Sequence, residues 1–281
     1  MTDLTAEIKE ALESLGARAR KSFGQNFMIS ESALAAIREA SGVEKGGRVI
    51  EIGPGLGFLT RRFLADGVTV TAVEKDRLFV QYLKKKFAGQ PLRVVEADIL
   101  TVRPKKDLEL TGKTTVVGNI PYNITSPILG WLVDHRKLFP LAVLTVQKEV
   151  AERLAAEPDT ESWGALSVFI QLYCRVSFVK EVPKSAFIPP PRVDSAVIRL
   201  EISETPLVPV KDETLMLELA HRAFQKRRKT VQNALEKGDK PVIAAALEAA
   251  GIDPRRRPET LTLAEWAGLS DVLGESRRRV I

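Results

Sequence analysis

The feature that most constrains the fold is a short apolar stretch that runs directly into a glycine-rich turn. Residues Arg48–Ile52 resemble a buried strand, the turn is Gly53–Gly57, and a helical pattern of apolar residues follows over Phe58–Ala65. Glycine allows the backbone to approach a ligand closely, and the first turn of a helix presents free N–H groups. The pattern therefore predicts a cofactor site. Because Gly-x-Gly-x-Gly is one residue short of the dinucleotide fingerprint, a pyrophosphate cradle is the weaker interpretation.

Two further strand-like stretches each end at a carboxylate. Val68–Val73 is followed by Glu74, roughly twenty positions beyond the glycines, where an acidic residue usually binds a pair of ribose hydroxyls. Leu92–Ala97 leads to Asp98, whose carboxylate can accept from the amino group of an adenine while Ile99 lies against the ring. Either acid alone is equally compatible with an ordinary solvated strand end. Three successive strand ends in this order favour an S-adenosylmethionine site.

A fourth strand-like stretch, Thr115–Gly118, ends in the sequence Asn-Ile-Pro-Tyr. The Asn119 amide oxygen and the Ile120 carbonyl are candidate acceptors for the two hydrogens of an exocyclic amino group. Such acceptors are needed because the lone pair of an adenine amino nitrogen is delocalised into the ring until that nitrogen pyramidalises. Tyr122 offers a stacking surface for the base. Alone, the stretch also fits a simple strand-to-loop turn, but beside the cofactor pattern it indicates a site for a flat amino-bearing base.

Several motifs spread along nearly the whole chain carry a family resemblance. They are Arg20–Phe27, Glu51–Gly57, Glu74, Asp98, Asn119–Asn123, Phe187–Ser195, and Phe224–Lys229 followed by Asn233–Leu235. In these motifs the chain resembles the ribosomal RNA adenine N6,N6-dimethyltransferase family, the KsgA (RsmA) type in bacteria. Taken together, the motifs are highly specific.

The resemblance implies S-adenosyl-L-methionine as the cofactor. Carried over position by position, the resemblance implies that residues of several of these motifs contact the cofactor, and that Met28 does so through its backbone. Family members often have Leu at the position of Met28, a conservative difference because both side chains fill the same apolar gap. The predicted cofactor-binding residues are Gln25, Asn26, Met28, Gly53, Gly55, Glu74, Asp98, Ile99 and Asn119.

Phe187 begins a proline-rich motif, and we expect the prolines to stiffen a loop that presents its ring outward. The resemblance implies that Phe187 and Tyr122 sandwich the target adenine, and such stacking is worth about 1–3 kcal/mol per base. The alternative is that Phe187 fills the core beneath the loop. The predicted catalytic residues are Asn119, Ile120, Tyr122 and Phe187, and we assign no catalytic His, Lys or carboxylate.

The formal net charge of +6 supports an anionic partner only weakly, but the basic residues are clustered. The clusters are Arg18 with Arg20 and Lys21, the segment Arg222–Lys229, Arg255–Arg257, and Arg277–Arg279. Each run could equally be a solvated face. The second cluster lies in an otherwise apolar helical pattern and within a family motif. The predicted RNA-binding residues are therefore Arg222, Lys226, Arg227, Arg228 and Lys229.

Strand-like and helix-like stretches alternate from Val49 onward, which predicts an α/β fold with a mainly parallel sheet. Two late strands, Phe178–Val182 and Ala196–Ile202, are expected to pair antiparallel at one edge. Together with the resemblance, this predicts a Rossmann-like, seven-stranded class I methyltransferase sheet and a smaller all-helical C-terminal domain. We expect a methyltransferase domain over 1–204, with an N-terminal helical extension over 1–20, and a helical RNA-binding domain over 205–281.

Composition excludes other classes of protein. The chain has one cysteine, Cys174, so no disulfide can form within it, and acidic residues interrupt the N-terminus where a secretory leader would need an apolar run. His135 and His221 have no partner at ligand spacing, so we expect no metal site. No stretch is long enough to span a bilayer. We expect a cytoplasmic monomer that binds ribosomal RNA in the immature small subunit.

The resemblance implies that two adjacent adenosines in the 3'-terminal hairpin loop of small-subunit (16S) ribosomal RNA are each methylated twice, during small-subunit biogenesis. One alternative is another methyltransferase, either the large-subunit RNA enzymes of the macrolide-resistance type or a DNA adenine methylase. The other is a non-catalytic RNA-binding ribosome assembly factor that keeps the fold for its surface. Retention of Asn119, Tyr122 and Phe187 together favours an enzyme.

Overall fold

The computed structural model describes residues 4–16, 25–110, 112–226, 228–236 and 240–278. The chain forms two compact units, one of Met1–Ala151 with Arg175–Glu204, the other of Glu152–Cys174 with Thr205–Ile281. The last segment of the second unit begins at Thr205, where the sequence analysis placed the start of the C-terminal domain. It also includes Glu152–Cys174, a segment that the sequence pattern had assigned to the first domain.

The first unit is built on a seven-stranded sheet with the order β4-β3-β2-β5-β6-β9-β7. A separate two-stranded sheet pairs β1 with β8 in antiparallel fashion. The strands are β1 (Phe27–Met28), β2 (Arg48–Ile52), β3 (Thr69–Glu74), β4 (Leu92–Glu96), β5 (Thr115–Asn119), β6 (Leu141–Gln147), β7 (Cys174–Val182), β8 (Phe187–Ile188) and β9 (Ser195–Ile202).

Strands β2 to β6 pair in parallel, and β9 pairs with β6 in antiparallel fashion. The central strands are short apolar runs; Ile50, Val116 and Leu144, for example, are fully buried. Such runs are typical of parallel strands that are covered on both faces by crossover helices. The arrangement confirms the predicted α/β fold and the seven-stranded methyltransferase sheet. It also places the carboxyl ends of β2, β3, β4 and β5 along one edge.

The helices of the first unit cover this sheet. They are α1 (Leu4–Ser14), α2 (Glu31–Ala40), α3 (Phe58–Ala65), α4 (Arg77–Lys86), α5 (Pro104–Asp107), α6 (Thr125–Asp134) and α7 (Lys148–Leu154), the last of which crosses into the second unit. The predicted N-terminal amphipathic helix is α1, which buries Leu4 and Ile8 in the core. Its Glu7 accepts hydrogen bonds from Arg61 at 3.0 Å and Lys86 at 3.1 Å. These contacts join the N-terminal helix to α3 and α4.

In its described residues the second unit is helical, with α8 (Ala165–Gln171), α9 (Glu213–Phe224), α10 (Val231–Leu235), α11 (Lys240–Ala249) and α12 (Leu263–Arg278). Its core contains two fully buried tryptophans, and Trp163 Nε1 donates to the Leu261 carbonyl at 3.1 Å while Trp266 contacts Phe224. The Leu207 amide donates to the Leu172 carbonyl at 2.7 Å, which ties the end of α8 to the later segment. Across the described ranges, no helix combines the length and the apolar character needed to cross a bilayer.

Candidate active site

A cavity opens where the carboxyl ends of the parallel strands meet. All nine predicted cofactor-binding residues line it, and they come from β1 and the residues before it, the glycine turn, and the ends of β3, β4 and β5. This clustering follows from the topology, because parallel strands place their carboxyl ends at the same edge of the sheet. The residues are Gln25, Asn26, Met28, Gly53, Gly55, Glu74, Asp98, Ile99 and Asn119.

The glycine turn is held in a shape that other residues would not adopt. The Gly53 amide donates to the Val73 carbonyl at 3.0 Å, which joins the start of the turn to β3. Gly57 has a φ of +78°, and a Cβ added there would lie 2.6 Å from the Phe87 ring. At Gly55 the φ is +55° and a Cβ would lie 3.2 Å from the Phe27 ring. Glycine is therefore required at these positions by backbone conformation and by close packing, as the sequence pattern predicted.

Glu74 lies at the end of β3, where burial leaves 8% of the residue exposed. Its Oε1 accepts from the Asp76 amide at 2.8 Å and its Oε2 from the Gly55 amide at 3.1 Å. Burial raises the pKa of the Glu74 carboxyl, and these two backbone N–H groups oppose the rise. Because each carboxylate oxygen has two lone pairs, both can still accept from a ribose hydroxyl. The local geometry fits the predicted ribose contact.

Asp98 follows β4 and caps the short 3₁₀ helix Ile99–Thr101 through a hydrogen bond from the Leu100 amide at 3.1 Å. Its other oxygen accepts from Lys75 Nζ at 2.8 Å. The hydrogen bond from Lys75 lowers the pKa of Asp98 and so favours the ionised carboxylate, which is compatible with the predicted contact to an adenine amino group. Lys75 also lines the cavity. Lys75 was not predicted as a site residue, although its position directly after Glu74 and at a strand end was a usable signal.

Glu51 is a buried carboxyl that the sequence analysis recognised only as part of a motif. It points from β2 into the cavity wall, is 2% exposed, and accepts a hydrogen bond of 2.5 Å from the Thr60 hydroxyl on α3. Burial raises the pKa of Glu51 to about 7, with a further contribution from the charge of Glu74, and the Thr60 hydrogen bond opposes this rise. Glu51 cannot be recognised from an alternation of polar and apolar residues, because its neighbours in β2 are apolar on both faces of the sheet.

Asn119 is the last residue of β5 and faces the cavity. Its Nδ2 donates to the backbone carbonyl of Asn26 at 2.9 Å. This bond fixes which end of the amide is the donor and leaves Oδ1 as the acceptor end, turned away from that carbonyl. The predicted acceptor at residue 119 therefore lies at the same cavity as the predicted cofactor-binding residues, and one of these, Asn26, orients it.

The other three predicted catalytic residues do not line this cavity, although Pro121 and Asn123 do. The Ile120 side chain is 1% exposed and is part of the packed interior, which anchors the backbone on either side of it. Tyr122 lies in the 3₁₀ turn Tyr122–Ile124 and is half-buried. Its hydroxyl forms a hydrogen bond of 2.5 Å with the Ser195 hydroxyl. Burial raises the pKa of Tyr122, and the hydrogen bond with Ser195 opposes this.

The expectation that the proline-rich loop presents Phe187 outward is wrong. The residue is 1% exposed and belongs to the main hydrophobic core together with Phe27, Met28 and Val182. The cause is the pairing of β1 with β8, because Met28 lies opposite Phe187 and both side chains pack in the core. In this conformation Phe187 fills the interior, which was the alternative interpretation of the motif.

The predicted RNA-binding residues belong to the second unit, at the end of α9 and in the connection to α10. Lys226, Arg228 and Lys229 are exposed, whereas Arg222 is half-buried. Arg227 lies outside the described residues, as do Arg18, Arg20 and Lys21 of the N-terminal cluster. Within the described ranges, no group of three or more His, Cys, Asp or Glu side chains could hold a metal ion.

Comparison with known proteins agrees with the geometry. Residues 16–274 match the model of a family described as ribosomal RNA adenine dimethylase. The chain is similar to ribosomal RNA small subunit methyltransferase A of Clostridium perfringens, with 41% identity over 268 residues that cover 94% of each chain. It is also similar to the protein of that name from Myxococcus xanthus, with 42% identity over 272 residues that cover 95% of each chain.

Two solved structures share the fold at moderate sequence identity. A dimethyladenosine transferase from Plasmodium falciparum superposes with a TM-score of 0.73 at 26% identity, covering 91% of this chain and 98% of that one. The 23S rRNA methyltransferase ErmE superposes with a TM-score of 0.67 at 29% identity, covering 89% of this chain and all of the other. The chain is thus a member of the ribosomal RNA adenine dimethylase family, whose enzymes use S-adenosylmethionine.

Proposed function

We propose that this protein dimethylates N6 of two adjacent adenosines in the 3'-terminal hairpin loop of small-subunit (16S) ribosomal RNA, during small-subunit biogenesis. The observation that carries the proposal is the orientation of Asn119, whose amide oxygen is left as an acceptor beside the cavity of the cofactor-binding residues. The relatives named as small-subunit methyltransferases share 41–42% identity with the chain, compared with 29% for the 23S rRNA methyltransferase ErmE. This difference favours the small subunit as the substrate.

S-adenosylmethionine supplies the sulfonium methyl group. The residues of the cavity bind it, with Glu74 accepting from the ribose hydroxyls, Asp98 accepting from the adenine amino group, and Ile99 lying against the ring. The backbone around Gly53 and Gly55 allows the close approach, since neither residue has a side chain.

In the first transfer, Asn119 Oδ1 and the Ile120 carbonyl hold the amino group of the target adenine by its two hydrogens. In the second transfer, the monomethylated nitrogen has one hydrogen left, which one of these acceptors holds. These acceptors favour the pyramidal nitrogen, whose lone pair is available for attack, and they stabilise the positive charge that develops on it. The nitrogen loses its proton only as that charge develops, so no general base is required. Most of the rate enhancement then comes from positioning this nitrogen near the methyl group. The bond from Asn119 to the Asn26 carbonyl contributes by orienting the amide that holds the nitrogen.

The ring of the target adenine stacks on Tyr122, which is half-buried in the 3₁₀ turn that follows β5. Phe187 supplies the second face once β8 separates from β1, because the ring is otherwise enclosed in the core. The base must also leave its own helix or loop stack to reach the site. Binding of the RNA therefore has to supply the energy of this rearrangement.

The second unit binds the RNA through Arg222, Lys226, Arg227, Arg228 and Lys229. The exposed members of this cluster have the charge needed to contact phosphates. In this proposal, the first unit is the methyltransferase domain and the second unit is the RNA-binding domain. The partner is the RNA of the immature small subunit. The protein binds it as a monomer, in the cytoplasm.

Mass spectrometry of RNA nucleosides tests this proposal. Purified protein and labelled cofactor are incubated with immature small subunits and, separately, with protein-free large-subunit RNA. We expect labelled N6,N6-dimethyladenosine in the small-subunit RNA at two adjacent positions. Label only in the large-subunit RNA would favour the macrolide-resistance type of enzyme, and binding without label would favour a non-catalytic assembly factor.

A further inference from the structure

The far end of the Tyr122 ring is joined to another strand of the sheet. The Tyr122 hydroxyl and the Ser195 hydroxyl form a hydrogen bond of 2.5 Å, and Ser195 is fully buried. Ser195 is the first residue of β9, which belongs to a different part of the chain from β5. The methyl transfer itself does not use this serine.

The sheet topology explains how these two residues meet. Strands β5 and β6 are parallel neighbours, with Asn119 opposite Thr145, and β9 pairs with β6 in the opposite direction, with Ser195 opposite Gln147. Because β9 is antiparallel, its first residue lies at the edge where the parallel strands end. In this sheet, only an antiparallel strand starts at the edge where the parallel strands end, and the candidate site lies at that edge.

Ser195 is also held firmly by the residue before it. The Asp194 carbonyl accepts from the Lys148 amide at 3.0 Å, and the Asp194 side chain accepts from the Lys184 amide at 2.8 Å. The serine hydroxyl is thus presented from a fixed backbone. The tyrosine oxygen lies on the axis about which χ2 rotates, so an attachment there fixes the position of the far end of the ring and with it the χ1 angle.

We propose that Ser195 is a positioning residue for Tyr122: its hydroxyl holds the far end of the phenol ring, so that the ring stays in one position beside the target adenine. This inference rests on the proposed stacking of the base on Tyr122. It explains why the aromatic residue is a tyrosine, since a phenylalanine would stack equally well but could not be attached to β9. The tyrosine hydroxyl takes no part in proton transfer.

A double-mutant cycle tests the inference through the rate of methyl transfer in a single turnover, at saturating cofactor and small-subunit RNA. Tyr122→Phe and Ser195→Ala should each lower the rate about five- to tenfold, the size expected for loss of one neutral hydrogen bond. The double variant should be no slower than either single variant, because both changes remove the same bond. Cofactor affinity by calorimetry should be unchanged in all three.

Tyr173→Phe is the matched control. Like that of Tyr122, the hydroxyl of the buried Tyr173 forms a hydrogen bond, which it donates to Glu213, but Tyr173 belongs to the second unit. Denaturant unfolding of every variant separates loss of stability from loss of positioning, and this control should lose stability without a slower methyl transfer.

Wild-type rates in both single variants, or single effects that multiply in the double variant, would overturn the role of Ser195. Absence of methylation by the wild-type protein would instead overturn the proposed function, and the positioning role with it. Thus the two failures give different results.

Discussion

The two sides of the candidate site differ in how far they are already formed. We call the nine cavity-lining residues predicted to bind cofactor the cofactor side, and Ile120, Tyr122 and Phe187 the target-base side. On the cofactor side, every predicted residue faces one cavity. On the target-base side, Tyr122 is already held by β9, but Phe187 is enclosed in the core. The difference suggests that cofactor binds to a largely formed site, whereas the target base binds only after a local rearrangement.

Asn119 belongs to the cofactor side and is also the proposed acceptor for the target base, and its loss is the largest effect we predict. Asn119→Ala removes one acceptor at the reacting nitrogen and should lower kcat about 100-fold, equivalent to about 3 kcal/mol. Single-turnover methylation of small-subunit RNA measures this. Asn123→Ala is the matched control, since this asparagine also borders the cavity but has no assigned acceptor role. A wild-type rate in Asn119→Ala would refute the acceptor role.

A second prediction concerns the electrostatics of the cofactor side. Glu51 has a pKa raised to about 7, so between pH 4.5 and 7 the unfolded chain releases a proton that the folded protein keeps. Stability therefore falls as the pH rises through this window. Glu51→Gln removes this titration. Relative to wild type, the free energy of unfolding of the variant should therefore rise by up to about 3 kcal/mol between pH 4.5 and pH 8.

Urea unfolding of wild type and Glu51→Gln across this pH range measures the difference between them. The exposed Glu10 on α1 offers a control, because Glu10→Gln should follow the wild-type pH profile. A difference between wild type and Glu51→Gln that does not change with pH would show that Glu51 is not protonated in the folded state near neutrality.

The third prediction separates cofactor binding from catalysis. Glu74→Ala removes the proposed acceptor of the ribose hydroxyls and should weaken cofactor binding by roughly 2 kcal/mol, about thirtyfold, as measured by calorimetric titration. Glu96→Ala is the control, because this exposed glutamate lies directly opposite Glu74 on the neighbouring strand but outside the cavity. Equal affinities in wild type and Glu74→Ala would mean that the ribose assignment is wrong.

The smallest effect is expected for the basic cluster of the second unit. Replacing Lys226, Arg228 and Lys229 with Gln should flatten the salt dependence of RNA affinity by roughly one unit of log–log slope for each phosphate that the variant no longer neutralises. Lys84 and Lys85, exposed at the end of α4, provide a control pair of the same charge type in the first unit. An unchanged slope would identify the cluster as an ordinary solvated surface.

The difference between the two sides also shows what sequence patterns can and cannot reveal. The ends of β2 to β5 were predictable because parallel strands converge at one edge, so residues such as Glu74 and Asp98 meet whatever lies between them in the chain. The burial of Phe187 was not predictable, because it depends on the pairing of β8 with β1, two short strands far apart in sequence. The inclusion of Glu152–Cys174 in the second unit was missed for a related reason. Helix α8 packs against α9, and no change in composition marks the boundary.

The bond between Tyr122 and Ser195 was not predictable from local sequence either. Both residues were in recognised motifs, but only the antiparallel direction of β9 brings them together. Local pattern therefore predicted the cofactor side well, whereas long-range pairing determines the target-base side.

Hydrogen exchange measured by mass spectrometry tests this central difference most directly. Peptides covering 25–28 and 53–57 report on the cofactor side, and a peptide covering 183–195 reports on β8 and the loop after it. We predict that cofactor alone slows exchange in the first two peptides and leaves the third unchanged, and that addition of small-subunit RNA then speeds exchange at β8. Unchanged exchange at β8 during active methylation, or a change there with cofactor alone, would contradict the account.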